Sequence, residues 1–255
     1  MPLNEEQRAA ARQKVVELTD LFDNDCVFRY QQAAELKKVW KYRNSNGVCF
    51  AMSFDWLRRK MHNSATPFAK PKRNFDDAKY ASKTNRVQLT TKHAVLQDAY
   101  KDSMKQNKFA HNSVHLTAMV AENVVKSGLD RLNVAGVTQV HSYELQEGIS
   151  IGCANTHLAM QSKLAAALDA AEQELQNSPS VGIAFHMTGD GGGHATAFHI
   201  TNPSLRFFDP NVGEYQFHRV AGRRRALQFV SLLWFDLYHR FFKMDSLEFE
   251  TIKYQ

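Results

Sequence analysis

His194-Ala195-Thr196-Ala197-Phe198-His199-Ile200-Thr201-Asn202-Pro203-Ser204-Leu205-Arg206-Phe207-Phe208-Asp209 is the stretch whose reading decides the fold. Two runs of apolar and β-branched residues flank Thr201 to Ser204, a cluster of turn-forming types. That pattern predicts a β-hairpin with strands over 194–200 and 205–208. Further strands are predicted over 180–187, 214–220 and 247–252, and a Gly-rich turn over 188–193. Strands that follow one another through short turns pair antiparallel.

Upstream of this block the periodicity is helical. Val15, Leu18, Leu21 and Phe22 fall at helical spacing within 5–22, and Ala34, Leu36, Val39 and Trp40 suggest a shorter helix over 30–42. An amphipathic run begins at Cys49 and places Phe50, Phe54 and Leu57 on one side, with Arg58, Arg59 and Lys60 following. Residues 62–90, with Pro67 and Pro71, predict a long excursion. Helices are expected over 92–108, 113–127 and 155–176, and 134–145 suits helix or strand. Inside the C-terminal block, 222–243 is one long helix with an aromatic face of Phe229, Leu233, Trp234, Leu237 and Phe241. Helices first and strands last indicate an α+β fold. The chain is expected to be one domain over 1–255: N-terminal helices (1–43), a mainly helical half (44–178) and a mainly antiparallel sheet half with a long helix (179–255).

Composition narrows the class. The 255 residues are 44% hydrophobic, enough for a substantial core. The formal charge of +6 favours an acidic surface or an anionic membrane as a contact without selecting between them. No basic–aromatic stripe marks a specific nucleic-acid site. Three cysteines, Cys26, Cys49 and Cys153, with no C-x-x-C spacing, argue against a disulfide framework and a zinc ribbon. No basic segment followed by an apolar one opens the chain, so no cleaved secretory signal is expected.

The chemistry-bearing residues come from the hairpin and one helix. Centring the turn between Thr201 and Asn202 puts His194 directly opposite Asp209, with both side chains on one face. A carboxylate beside an imidazole selects its tautomer and favours the imidazolium. Cys49 follows the turn Asn46-Gly47-Val48 and opens a helix, where the positive end of the helix dipole favours thiolate. If that helix packs across the hairpin's mouth, Cys49, His194 and Asp209 form a cysteine-based triad.

These motifs resemble a known family. Gly47-Val48-Cys49 opening a helix, Gly193-His194-Ala195 opening a strand, and Phe208-Asp209-Pro210-Asn211 closing the next are similar to the YopT/AvrPphB family of papain-like cysteine proteases. The resemblance covers residues 44–220 in organisation and about 25 residues in specific motif. It implies a papain-like fold, with the nucleophile helix packed on a C-terminal antiparallel sheet. It also implies a bacterial effector, secreted by a specialised system and acting in the host cytosol. By the same resemblance Cys49 is the nucleophile, His194 the acid–base group and Asp209 the orienter. The substrate is then a host protein such as a small GTPase or a kinase, with no cofactor and no metal. Papain-like enzymes take an oxyanion donor from a side-chain amide upstream of the cysteine. Arg43 stands where Gln is usual, so Asn44 and Asn46 are the candidates.

Two other readings stay open. The same triad suits a deamidase or transglutaminase-like toxin acting on glutamine or asparagine through the same thioester. A basic binding protein with an incidental triad is the non-enzymatic alternative. Cys26, Cys153, His186 and His199 are expected to be packing residues. His111 and His115 lack a third ligand in register. Gly189 to Gly193 leads into a strand and lacks the Lys-Ser/Thr of a phosphate loop. Arg223-Arg224-Arg225, at a helix start where cations suit the dipole poorly, reads as an exposed charge run or an acidic-partner contact.

Overall fold

The computed structural model describes residues 3–38, 48–65, 94, 97–98, 139–141, 157–189 and 192–253. Helix α1 (Glu5–Leu21) opens on a reciprocal cap: the Asn4 side chain accepts from the Gln7 amide at 2.8 Å, and the Gln7 side chain accepts from the Asn4 amide at 3.0 Å. A 3-10 turn (Asp23–Asp25) leads into strand β1 (Cys26–Arg29), which the sequence pattern had not indicated, and then into α2 (Gln32–Leu36). Helix α3 (Cys49–Ala65) begins as predicted but runs into the stretch assigned to an excursion. Strand β2 is Gln139–His141, and α4 is His157–Gln173, extended by a 3-10 turn over Glu174–Gln176. The helices expected over 92–108 and 113–127 fall almost entirely outside the described residues. Within the first of them, Ala94, Gln97 and Asp98 are helical.

Strands β3 (Ser180–Gly189), β4 (Gly192–Thr201), β5 (Ser204–Asp209) and β6 (Gly213–His218) follow, then α5 (Arg223–Leu232). The helix continues as a π-helical segment, Leu233–His239, and an α-turn, Arg240–Phe242. Lys243, in the left-handed region at φ 53°, ends it and turns the chain into β7 (Met244–Lys253). The seven strands form one sheet in the order β1-β6-β5-β4-β3-β7-β2, with every pair antiparallel. The α+β architecture of helices on a C-terminal antiparallel sheet is therefore present. Among the described residues no helix is long and apolar enough to cross a membrane.

Helices cover both faces of the sheet, so the central strands β3 and β4 are buried along most of their length. On one face, Phe198, Ile200, Leu205 and Phe207 pack with residues of α1, α4, α5 and the π segment. Phe229 of α5 is the hub there, its ring centroid 4.3 Å from Tyr215, 4.7 Å from Phe22 and 5.8 Å from Phe207. On the other face α3 lies against β3, β4 and β5. Met52, Trp56, Leu57 and Met61 pack there with Ala184, Ala197 and Phe208. Gly182 permits the approach, because a Cβ at that position would stand 2.8 Å from a Leu57 methyl.

The hairpin register differs from expectation. Ala197 faces Phe208 and Ile200 faces Leu205, so the turn centres between Asn202 and Pro203 and pairing is displaced by two residues. The Thr201 hydroxyl explains the choice: it accepts from the Ser204 amide at 3.3 Å and closes the turn around Asn202-Pro203. His194 and Asp209 are consequently not directly opposite but diagonal, beyond the last β4–β5 pair. A two-residue displacement preserves side-chain parity, whereas a one-residue slip inverts it. Both side chains therefore keep the shared face.

Candidate active site

Three elements converge where β4 begins. Val48 caps α3, its carbonyl accepting from the Met52 amide at 3.0 Å, and this makes Cys49 the first helical residue. Val48 has no side-chain oxygen to cap the helix, and a distant residue does part of that work: the Gln97 side chain accepts from the Ala51 amide at 3.1 Å. One turn on, the Ser53 hydroxyl donates to the Ala195 carbonyl at 2.9 Å and ties α3 to the residue after His194. The Cys49 sulfur lies 4.0 Å from the Gly193 carbonyl, beside the residue before His194.

His194 and Asp209 are both buried, Asp209 completely. The imidazole Nε2 stands 3.1 Å from Asp209 Oδ1. Spanning a diagonal of about 7–8 Å between backbones takes a long side chain, and the imidazole supplies one. With Nε2 engaged by the carboxylate, Nδ1 is the nitrogen left for the sulfur, and His194 and Cys49 are close enough to shift each other's proton affinity.

Asp209 is held from two further directions. Its Oδ1 accepts from the Asn211 amide at 2.7 Å, and its Oδ2 accepts from the Tyr238 hydroxyl at 2.6 Å. Tyr238 also stacks its ring on His194 at 4.5 Å between centroids and 26° between planes. It belongs to the π-helical segment, whose wider turn re-aims side chains relative to a continuous α-helix. Burial, with the Asp209 charge beside it, holds the Tyr238 hydroxyl protonated well above the usual phenol range.

The electrostatics favour a separated charge pair. Burial opposes the His194 imidazolium. The Asp209 carboxylate, by charge and hydrogen bond, and the Cys49 sulfur more than offset it, and the imidazolium pKa is pushed up to about 10. Burial likewise opposes the Cys49 thiolate. The hydrogen bond and charge of His194, with the backbone amides of Ala195 and Phe50, outweigh it and lower the thiol.

A lowered thiol thus lies beside a raised imidazolium. The Peptidase_C58 family model, described as Yersinia/Haemophilus virulence surface antigen, matches residues 16–255. The chain belongs to this family. It is a cysteine peptidase. Among curated proteins none matches the chain. Among solved structures, the crystal structure of the Pseudomonas avirulence protein AvrPphB is similar at 13% identity and a TM-score of 0.48, over 82% of this chain and 93% of that one.

In this peptidase the three residues singled out by sequence, Cys49, His194 and Asp209, lie together. Asn44 and Asn46 lie outside the described residues, as do His111, His115 and Cys153. Cys26 is half-buried, and burial raises its thiol, opposite to Cys49. His199 is a core residue edge-on to Trp56, and burial lowers its pKa to about 3, which keeps it neutral. Arg223 pairs with Asp169 and Glu172 of α4, and Arg225 pairs with Asp25, so two of the three arginines join elements rather than waiting for an acidic partner.

Sequence reasoning missed Tyr238, Ser53 and Gln97. Ser53 was findable, since it lies one turn below Cys49 on the same helix face. Tyr238 was not. A strict α-helical wheel over 222–243 gives the wrong angular positions after Leu232, where the π segment begins.

Proposed function

We propose that this peptidase hydrolyses a peptide bond of a host protein through Cys49, His194 and Asp209. The observation that carries the reading is the His194 imidazole, bonded to the buried Asp209 carboxylate at 3.1 Å, with the Cys49 sulfur against the carbonyl of the residue before it. The Cys49 thiolate attacks the carbonyl carbon, and negative charge develops on its oxygen. As the C–N bond breaks, the His194 imidazolium gives its Nδ1 proton to the leaving amine, which leaves a thioester on Cys49. Neutral His194 then takes a proton from water as that water attacks the thioester. The acid departs and the thiolate–imidazolium pair is restored. Asp209 keeps Nε2 as a donor and so fixes Nδ1 toward the sulfur.

By family resemblance the substrate is a host protein of the small GTPase or kinase class, reached after secretion by a specialised bacterial system. The Cys49 amide, at the first helical position, with Asn44 or Asn46, would receive the oxyanion. A missing donor of that kind typically costs about 10²–10³ in rate.

The test is to add the protein or its Cys49→Ala variant to a eukaryotic cell lysate and label new protein N-termini. New termini with the parent chain and none with the folded variant are expected. A substrate gaining about 1 Da without new termini identifies the deamidase reading instead. A Cys49→Ala protein with full effect overturns catalysis by this residue.

A further inference from the structure

The triad is one arc of a closed ring of bonds and contacts, and the ring closes through Gln32. The Gln32 Oε1 accepts from the Val48 amide at 2.8 Å, and its Nε2 donates to Asn211 Oδ1 at 2.9 Å. Asn211 Nδ2 donates to the Tyr238 hydroxyl at 3.2 Å, and that hydroxyl donates to Asp209 Oδ2 at 2.6 Å. Asp209 Oδ1 meets His194, His194 meets Cys49, and Cys49 is bonded to Val48. Backbone bonds reinforce the crossing: the Gln32 amide donates to the Pro210 carbonyl at 2.8 Å, and the Tyr30 amide to Val212 at 3.4 Å.

The polarity of the ring is fully determined. A backbone amide can only donate, so the oxygen of the Gln32 side chain faces Val48 and its nitrogen faces Asn211. That choice turns the Asn211 oxygen toward Gln32 and its nitrogen toward Tyr238. The tyrosine oxygen accepts there, and its proton goes to Asp209. One side chain on a five-residue helix thus sets the donor direction of each link up to the carboxylate. Gln32 and Val48 are almost wholly buried, so water does not substitute for the amide.

We infer that Gln32 is a positioning residue: through Val48 on one side and Asn211–Tyr238–Asp209 on the other, it holds the nucleophile turn and the orienting carboxylate in one register. The inference rests on the proposed roles of Cys49, His194 and Asp209. Sequence proximity does not suggest it: Gln32 is 16 residues from Val48 and 179 from Asn211.

The test is the pH dependence of Cys49 alkylation by iodoacetamide, followed by mass spectrometry of the full chain. It reads thiolate directly and needs no substrate. Gln32→Met removes both polar bonds at similar volume. Asn211→Ala cuts the ring at its half-exposed middle and leaves Gln32 on Val48 and every triad group in place. In each variant the acid limb is expected to move up by about one pH unit, a roughly tenfold loss of thiolate on that limb. The double variant is expected to move no further than either single one, because a ring is already open after one cut. If both folded variants keep the parent profile, the inference is overturned. If Gln32→Met does not fold, Asn211→Ala alone decides. If shifts in the two singles add in the double variant, the two act as separate packing residues and the inference likewise fails. A parent chain whose Cys49 titrates as an ordinary thiol would instead sink the proposed function, an outcome distinct from an unchanged variant.

Discussion

At the scale of single residues, Cys49 and His194 shift each other's proton affinity in opposite directions. The thiol is lowered and the imidazolium is raised to about 10, so the charged pair is the dominant state between those two values. Cys49 is therefore expected to alkylate with a midpoint below the ordinary thiol value of about 8.5, and proteolysis to fall off toward pH 10 as His194 loses its proton. An alkylation midpoint at or above the ordinary value would contradict the ion pair. Tyr238 gives a second handle. Tyr238→Phe keeps the ring stacked on His194 and deletes one donor to a buried carboxylate. Bonds of that charge-assisted kind contribute about 1.5–3 kcal/mol, and urea denaturation at neutral pH should show a loss in that range. A neutral result would mean that the Asn211 amide and His194 already satisfy Asp209.

Among elements, α3 matters most, because it carries the sulfur past the end of β4. Apolar packing alone would let it slide. A buried polar cluster prevents this: Glu214 of β6 accepts from Trp56 Nε1 at 2.7 Å and pairs with Lys60 at 2.9 Å and Arg206 at 2.6 Å. Trp56 meanwhile stacks on Phe208, 5.3 Å away. Glu214 is wholly buried and Lys60 nearly so. Glu214→Ala removes the buried carboxylate that Trp56, Lys60 and Arg206 share. Breaking a buried pair from one side typically costs about 3–5 kcal/mol. Thermal and chemical denaturation should find a loss of that size; less than about 1 kcal/mol would show that the cluster behaves as a solvated pair and that packing alone locks α3. The helix face pointing at the sheet was legible in sequence from Phe50 and Leu57. The partner of Lys60 was not, because the strand of Glu214 was legible but its pairing with this helix is set only by packing between distant elements.

For the whole molecule, the site links stability to pH. The folded His194 value, about 10, lies above the ordinary imidazole value of 6.5, so the folded state binds that proton more tightly. Its stabilisation is complete below pH 6.5 and fades as pH rises toward 10. Cys49 has the opposite sign: its contribution is present above the ordinary thiol value and is lost as pH falls through the lowered folded value. Removing the Asp209 charge separates the two. Asp209→Asn should flatten the loss of stability between pH 6.5 and 10 in urea titrations, and an unchanged slope would mean that Asp209 does not hold the imidazolium. The residue types and chain order by themselves determined the fold class, the strands of the C-terminal block and the three candidate site residues. Apolar periodicity and glycine–helix punctuation are local signals, readable wherever they occur. Side-chain parity survived even a misplaced turn, because a two-residue displacement returns every side chain to its own face. The tertiary structure alone decided the register of the hairpin, where the Thr201 hydroxyl chose the turn, and strand β1, whose pairing partner β6 is far along the chain. It alone also decided the company around the triad. Tyr238 arrives through a π-helical offset, and Gln32 bonds to Asn211, 179 residues further along the chain. Contacts of that kind are set by packing between distant elements, and no local pattern of residues encodes them.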